Sequence, residues 1–329
     1  MTQSLKSRIA RYFCSLLPRA GLIPGPSRPQ GISAIVRVLD ENHWLEASIL
    51  SIKDHVDEII AVDTGSTDGS LETLERLAAS VKNLKVFRFP GRLPWEFTNF
   101  ALAKTSYRWI IKWDADCVAF ESARGPLGGL VEFLRKLDQR TYYYVSSKLI
   151  ELAGDFYHQF PGMRVRGDLD VFMYSEDARS VRVCRTLGRS PGMVQLPPGY
   201  TPEPLNICLD TVRIPRYYRI VPFDGVIAYH VNIKPAARHL LGYFFLPWLG
   251  SENISKGQTL ADYALEQVKT RWGLVDLGSA AAFYMTEYAR LLARYDESLG
   301  ALPENIKALA ARSRFKVVYE NGKPAGRAE

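Results

Sequence analysis

Two hydrophobic periodicities alternate along residues 32–147 and predict a regular succession of strands and helices. Short continuous apolar runs, such as Ile32 to Val38, are typical of buried strands. Between them, apolar residues recur at spacings of three and four, as on one face of an amphipathic helix. The predicted strands are 32–38, 58–62, 85–89, 109–113 and 142–147, and the predicted helices cover 45–56, 71–81, 96–105 and 127–137.

Strands that alternate with helices through short connections predict βαβ units and a mostly parallel α/β sheet flanked by helices. Ligands of such sheets bind at the carboxyl ends of the strands. Beyond residue 150 the pattern loosens, with short strands predicted around 181–185, 211–220 and 226–231, before residues 236–310 become mainly helical. We therefore expect an N-terminal extension (1–30), an α/β domain with halves 31–120 and 121–235, and a helical C-terminal region (236–329).

The positive charge is concentrated at the start of the chain. The net charge is +7, and residues 1–30 contain cations but no acid: Lys6, Arg8, Arg11, Arg19 and Arg28. The rest of the chain is nearly balanced, which argues against a nucleic-acid-binding protein. Apolar residues alternate with these cations, so residues 1–20 fit either a helix on an anionic membrane surface or an extension docked on the protein itself. We expect a cytoplasmic protein, with peripheral membrane contact as the open alternative.

The cysteines Cys14, Cys117, Cys184 and Cys208 are scattered and form no CxxC pair. Their spacing argues against a disulfide framework or a structural zinc site, and it fits a reducing compartment.

Polar residues gather at the predicted strand ends: Arg37, Asp40, Asp63, Asp68, Asp114 and Asp116. The chain has neither GxGxxG after its first strand nor GxxxxGK[ST], so a dinucleotide dehydrogenase or a P-loop NTPase is not expected. An Asp-x-Asp pair at a strand end suits Mg²⁺ or Mn²⁺, which takes one or two protein carboxylates and completes its shell with phosphate oxygens and water.

The segments "ISAIVRVLDENHW", "IIAVDTGSTDGS" and "NFALAKTSYRWIIKWDADC" together resemble family 2 glycosyltransferases, which have the GT-A fold and a DXD motif. The resemblance covers about residues 31–120 well and the remainder weakly. It implies a metal-dependent, inverting enzyme of the hexosyltransferase type. Such an enzyme moves a sugar from a nucleotide-sugar, with UDP favoured, to a hydroxyl of a glycan, lipid-linked or small-molecule acceptor, and the family analogy extends to surface glycan synthesis.

The resemblance implies a role for each strand-end residue. Asp63 would receive the nucleobase, and Arg37 would line the base or ribose pocket. Asp114 would contact ribose or metal-bound water, and Asp116 would bind the Mn²⁺ or Mg²⁺ ion that bridges the diphosphate. The chain departs from the family pattern at Cys117, where many members carry another acid, and at Thr98, where many carry an arginine.

The same residues also allow structural interpretations. Asp63 and Asp68 could cap a turn and a helix start. Arg37 could pair with Asp40 or Glu41.

An inverting enzyme also needs a general base that deprotonates the acceptor hydroxyl. The candidates in the second half are Asp168, Asp170, Glu176, Asp177 and Glu203. "SEDAR" is similar to the acidic pair at which many family members place the base, so Asp177 is our prediction. His230 resembles a histidine that joins the metal shell in several GT-A enzymes, and a packed histidine is its structural alternative.

Two other functions compete with this prediction. "DADCV" also satisfies the DxDx[TV] nucleophile motif of haloacid-dehalogenase-like phosphohydrolases, although that motif normally opens its domain. A non-catalytic protein that binds a nucleotide-sugar or carbohydrate is the second alternative.

Overall fold

The structure, a computed structural model, describes residues 5–89, 91, 93–120, 126–187, 205–251 and 257–329. The helices are α1 (Leu5–Cys14), α2 (Leu45–Ile52), α3 (Ser70–Ala78), α4 (Pro94–Lys104), α5 (Pro126–Lys136), α6 (Ala236–Gly250), α7 (Leu260–Trp272), α8 (Leu277–Arg290) and α9 (Glu304–Arg312). The strands are β1 (Ile32–Val38), β2 (Glu58–Asp63), β3 (Leu84–Arg88), β4 (Trp109–Asp114), β5 (Cys117–Ala119), β6 (Tyr143–Ala153), β7 (His158–Gln159), β8 (Val165–Met173), β9 (Arg179–Leu187), β10 (Leu205–Arg213), β11 (Arg219–Asn232), β12 (Ala293–Arg294), β13 (Lys316–Glu320) and β14 (Lys323–Ala328).

The first half of the main sheet is parallel. The strand order is β3-β2-β1-β4-β8-β6-β11-β5, and the first four strands pair in parallel. Every residue of β2 is buried, and so is nearly all of β1. Such continuous burial is expected of strands whose two faces are both covered by helices. The predicted α/β fold class is therefore confirmed, and the parallel register brings the ends of β1, β2 and β4 to one edge.

The second half of the sheet is mixed. β8 runs antiparallel to both β4 and β6, and β5 pairs antiparallel with β11. In this register Trp109 lies opposite Met173 and Ile111 lies opposite Val171. The end of β8 therefore lies beside the start of β4, at the edge away from Asp114.

The chain divides into two compact units. The first comprises residues 1–150, 165–181 and 211–230, and the second comprises residues 151–164, 182–210 and 231–329. The predicted boundary between residues 235 and 236 lies near the last division. The sequence did not indicate that residues 151–164 pack with the C-terminal residues, because that packing joins segments far apart in the chain.

The second unit is mainly helical between α6 and α9, as predicted, and contains a hairpin of β13 and β14 that the sequence did not predict. The hairpin is held by buried polar contacts. Asp155 accepts the backbone N–H of Val317 at 2.9 Å, and the Nε2 of His158 lies 2.6 Å from the hydroxyl of Tyr319. Within the described ranges, no helix has both the length and the apolar composition needed to cross a membrane.

Cys184 in β9 is disulfide-bonded, whereas Cys14 and Cys117 are free thiols. The expectation that scattered cysteines exclude a disulfide is therefore wrong. Cysteines far apart in sequence can meet when strands pair, which spacing alone does not reveal. The argument from cysteine spacing for a reducing compartment loses its basis as well.

Candidate active site at the carboxyl edge of the sheet

The turn that follows β4 is fixed by a buried tryptophan. Trp113 is fully buried, and its indole Nε1 donates to the Oγ of Ser48 at 2.9 Å and to the carbonyl of Cys117 at 3.1 Å. These bonds tie the end of β4 to α2 and to the start of β5. The chain leaves the strand at Asp114 and turns through Asp116, so both carboxylates lie at the carboxyl edge of the sheet. The motif that suggested a metal site thus stands on a rigid support.

Asp114 pairs with an arginine from the neighbouring strand. Arg37 lies opposite Asp114 in the parallel register, and its Nη2 is 3.1 Å from the Asp114 Oδ1. The guanidinium carbon also lies 5.3 Å from the centre of the Phe97 ring. The Asp114 side chain is 41% exposed, so part of its carboxylate remains open to a ligand. The structure therefore brings together two of the residues predicted to bind the nucleotide-sugar.

Asp116 is buried beside a histidine. His230 lies opposite Cys117 in the pairing of β5 with β11, which places its Nε2 3.2 Å from the Asp116 Oδ2. The Asp116 side chain is only 6% exposed. The structure therefore brings together Asp116 and His230, the two residues for which the resemblance implied a place in the metal shell, although they are more than 100 positions apart in the sequence.

An arginine sets the tautomer of this histidine. The Nη1 of Arg166, in β8, lies 3.4 Å from the His230 Nδ1. A guanidinium has only donors, so Nδ1 accepts, and Nε2 of the neutral ring carries the proton. In this tautomer His230 donates to Asp116 and orients its carboxylate. Direct ligation of a metal by Nε2 requires the other tautomer.

Asp63 and Asp68 support the loops that border the site. The Oδ1 of Asp63 accepts the backbone N–H of Gly65 at 3.0 Å, and the Oδ1 of Asp68 accepts that of Ser70 at 3.0 Å. Gly65 has a φ of +105°, a region that favours glycine. Asp63 thus makes the turn contact that was its structural alternative, and Asp68 bonds the first residue of α3, whose N-cap is Gly69. Contact of Asp63 with a nucleobase stays a prediction.

A second acidic group lies on the same face as Asp114. Side chains two positions apart along a strand share a face, so Lys112 and Asp114 point to the same side of β4. The Nζ of Lys112 is 4.0 Å from the Asp170 Oδ2, and the hydroxyl of Tyr144 also donates to Asp170. Asp170 therefore lies on the same face of the sheet as Lys112 and Asp114.

Glu176 and Asp177 lie elsewhere. They are exposed and follow the end of β8, which the antiparallel register places beside Trp109 at the start of β4. The rise along β4 separates this edge from Asp114 by about 17 Å. Asp177 accepts a 3.0 Å hydrogen bond from Tyr217, and burial raises the pKa of that tyrosine to about 12. The structure does not bring the predicted base Asp177 to the aspartate pair.

Two further base candidates fall outside the description. Glu203 lies outside the described residues, as does the side chain of Asp168, although the backbone of Asp168 is part of β8.

The donor atoms at this edge fit an oxygen-preferring cation completed by substrate. Carboxylate oxygens such as those of Asp114 and Asp116 suit Mn²⁺ or Mg²⁺. Among the residues that the structure describes, no three His, Cys, Asp or Glu side chains are grouped to hold a metal ion. Phosphate oxygens and water commonly supply the remaining ligands of such ions. The arrangement therefore fits an open site rather than a closed protein cage.

Several contacts of the site could be predicted from the sequence only in part or not at all. Arg166, Lys112 and Tyr144 were not singled out, because their meaning depends on which strands become neighbours. The alternation along β4 did contain a signal, since Lys112 stands two positions before Asp114 in an otherwise apolar strand. Cys117, which departs from the family pattern, is fully buried in the core.

Residues 33–175 match the family model described as glycosyl transferase family 2. The resemblance is thereby confirmed over this segment, which contains Arg37, Asp63, Asp114 and Asp116. No curated protein matches the chain in sequence.

Solved structures give weaker likenesses. The crystal structure of S. aureus TarS 1–349 has a TM-score of 0.37 at 14% identity, and the alignment covers 90% of this chain and 98% of that one. For the glycosyltransferase GlyE of Streptococcus pneumoniae TIGR4 the TM-score is 0.29 at 12% identity, with 44% of this chain and 34% of that one covered. Scores this low do not bear on function.

Proposed function

We propose that the protein is a metal-dependent, inverting glycosyltransferase that moves a sugar from a nucleotide-sugar to a hydroxyl acceptor. The observation that carries the proposal is the pairing of Asp116 with His230, beside the ion pair of Arg37 and Asp114. This group lies at the carboxyl edge of a parallel sheet, where such folds bind ligands. The family match over residues 33–175 supports the same reaction class over a phosphohydrolase.

Asp116 and Asp114 are the residues that would hold Mn²⁺ or Mg²⁺, and His230 would act through Asp116 rather than as a ligand. When bound, the ion supplies Lewis-acid stabilisation of the negative charge on the nucleoside diphosphate. His230 orients the buried Asp116 carboxylate through its Nε2–H, and Arg37 holds Asp114. Second-shell hydrogen bonds of this kind commonly tune the affinity of metal sites. Asp63 and its loop would border the nucleobase.

The chemical step needs a base on the acceptor side. The acceptor oxygen attacks the anomeric carbon, its proton passes to a carboxylate, and the bond from the anomeric carbon to the diphosphate oxygen breaks. We propose Asp170 for this role, because its side chain shares the face of β4 that carries Asp114. Lys112 and Tyr144 hold the Asp170 carboxylate in place. The position of Asp177 at the other edge of the sheet disfavours it as the base.

Hydrolysis of sugar nucleotides in the absence of an acceptor tests this proposal. UDP-, GDP-, CMP- and dTDP-sugars are incubated with the protein, with and without Mn²⁺, and nucleoside diphosphate or monophosphate release is measured. We expect Mn²⁺-dependent turnover of at least one donor, and its loss in an Asp116→Asn variant with an unchanged melting temperature. Turnover of a general phosphatase substrate without any sugar nucleotide would favour the phosphohydrolase instead. Binding of a donor without turnover, even with acceptors supplied, would favour the non-catalytic alternative.

A further inference from the structure

Helix α1 is attached to the first unit through its polar side. The Nη1 of Arg11 donates to the carbonyls of Pro215 at 2.9 Å and Tyr218 at 3.1 Å. Just beyond the helix, the Oγ of Ser15 accepts a 2.9 Å hydrogen bond from Arg219. Burial lowers the pKa of Arg11, which is consistent with a guanidinium enclosed against the protein. The N-terminal extension is therefore docked on the protein through these polar contacts.

The apolar side of the same helix faces outward. Ile9 and Phe13 are 49% and 64% exposed, and Tyr12, whose ring also lies 4.9 Å from the guanidinium carbon of Arg219, is 53% exposed. They stand three and four positions apart, so they form one face of the helix. Arg11 is two positions from both Ile9 and Phe13, which at 3.6 residues per turn places it about 200° away, on the opposite side. An ordinary surface helix buries its apolar stripe, and α1 does the reverse.

Cations border this outward face. Lys6 and Arg8 are exposed and flank the apolar residues on the helix, while residues 1–30 contain no acid. An apolar strip between cations matches the two properties of an anionic membrane surface, its apolar interior and its negative charge. The apolar side chains enter the boundary between headgroups and acyl chains, and the cations meet anionic headgroups.

We propose that this outward face of α1 binds an anionic phospholipid surface, with the helix lying in the plane of the membrane. The polar contacts of Arg11 and Ser15 keep the helix on the protein while its other side is in lipid. The protein would thus be held at a membrane through α1. This proposal is independent of the glycosyltransferase proposal, since lipid binding requires neither a donor nor a metal.

Co-sedimentation of the full chain with vesicles tests it, without nucleotide or metal. Vesicles of phosphatidylcholine alone are compared with vesicles containing 30% phosphatidylglycerol, at low salt and at 0.5 M NaCl. We expect binding only to the anionic vesicles, weakened by the salt because surface charges are screened. Each cation near the surface contributes about fivefold to partitioning, so a Lys6→Gln/Arg8→Gln variant should bind about 25-fold more weakly.

The apolar residues have their own variant and control. Ile9→Ser/Phe13→Ser should weaken vesicle binding at least about tenfold, because apolar area buried in the membrane is lost. Val275→Ser is the matched control, since Val275 is 77% exposed and distant in sequence from α1. It should bind like the wild type. All three variants change exposed residues, and an unchanged melting temperature verifies their folding.

Several results would overturn the proposal. These are an absence of binding to anionic vesicles, equal binding to neutral ones, or binding that survives in the Ile9→Ser/Phe13→Ser variant. A concentration-dependent dimer that this variant abolishes, without vesicle binding, would assign the face to a second copy of the chain.

Discussion

Acidic residues lie beside both ends of β4, in very different settings. At its carboxyl end, Asp114 and Asp116 meet Arg37 and His230 within 3.2 Å. At its starting end, Asp177 is exposed and bonded to Tyr217, in a surface turn. Acidic residues in a family-like motif are therefore not enough to mark a site. The direction of the strand that carries them decides which edge of the sheet they reach.

The largest effect should come from removing the carboxylate at the carboxyl end. An Asp116→Asn variant should lose about 1,000-fold in sugar transfer, because a bound cation contributes several kcal/mol of charge stabilisation. Asp177→Asn, at the other end of β4, is the matched control and should retain activity within about twofold. Steady-state kinetics at saturating Mn²⁺ measure both variants. A comparable loss of activity in Asp116→Asn and Asp177→Asn would contradict the assignment of the site to the carboxyl end of β4.

Asp170→Asn tests which acid near the carboxyl end acts as base. We expect about a 100-fold lower kcat, the lower range for a lost general base, with unchanged binding of the donor. Donor binding is measured by calorimetry. An unchanged melting temperature verifies that the variant folds without the contacts that the Asp170 carboxylate makes with Lys112 and Tyr144. Unchanged kcat in this variant, with a large loss in Asp168→Asn, Glu176→Gln or Glu203→Gln, would move the base to that residue.

A smaller effect should follow from changing the arginine behind His230. Arg166→Gln should weaken apparent Mn²⁺ affinity about tenfold, as is usual for outer-shell partners, and excess Mn²⁺ should restore kcat. Lys148→Gln serves as control, because Lys148 pairs at 3.7 Å with the exposed Asp224. A Mn²⁺ titration of activity gives both values. If the Arg166 variant follows the wild-type curve, Arg166 does not orient the site.

The smallest effect concerns Tyr217, at the edge of the sheet near the start of β4, and it changes only the free energy of unfolding. Burial raises the pKa of Tyr217 to about 12 from 10. Its contribution to stability is therefore complete below pH 10 and is lost as the pH rises toward 12, because the unfolded chain releases the proton first. Urea unfolding between pH 9 and 11.5 should show a falling midpoint, with a shallower fall in Tyr217→Phe. An equally steep fall in that variant would show that Tyr217 does not contribute.

Local periodicity was enough to predict the strands and helices of residues 32–147 except the short β5, because each of the longer elements buries its own apolar face. It also placed Asp114 and Asp116 at a strand end. It could not show that β8 runs antiparallel to β4, since strand direction depends on contacts between distant segments. The location of Asp177 and the approach of Arg166 to His230 were inaccessible for the same reason. The hairpin of β13 and β14 is local, and its Asn321-Gly322 turn was a signal in the sequence that the periodicity does not capture.

The most direct test of the central claim is a thermal-shift titration with nucleotide-sugars and Mn²⁺. At about 100 times the dissociation constant, a ligand stabilises the folded state by about 2.7 kcal/mol, which corresponds to several degrees in melting temperature. We predict such a rise for at least one of the UDP-, GDP-, CMP- and dTDP-sugars. The rise should require Mn²⁺, persist in Asp177→Asn and disappear in Asp116→Asn. An absence of any rise, or an equal rise in Asp116→Asn, would contradict a metal-nucleotide site at the carboxyl end of β4.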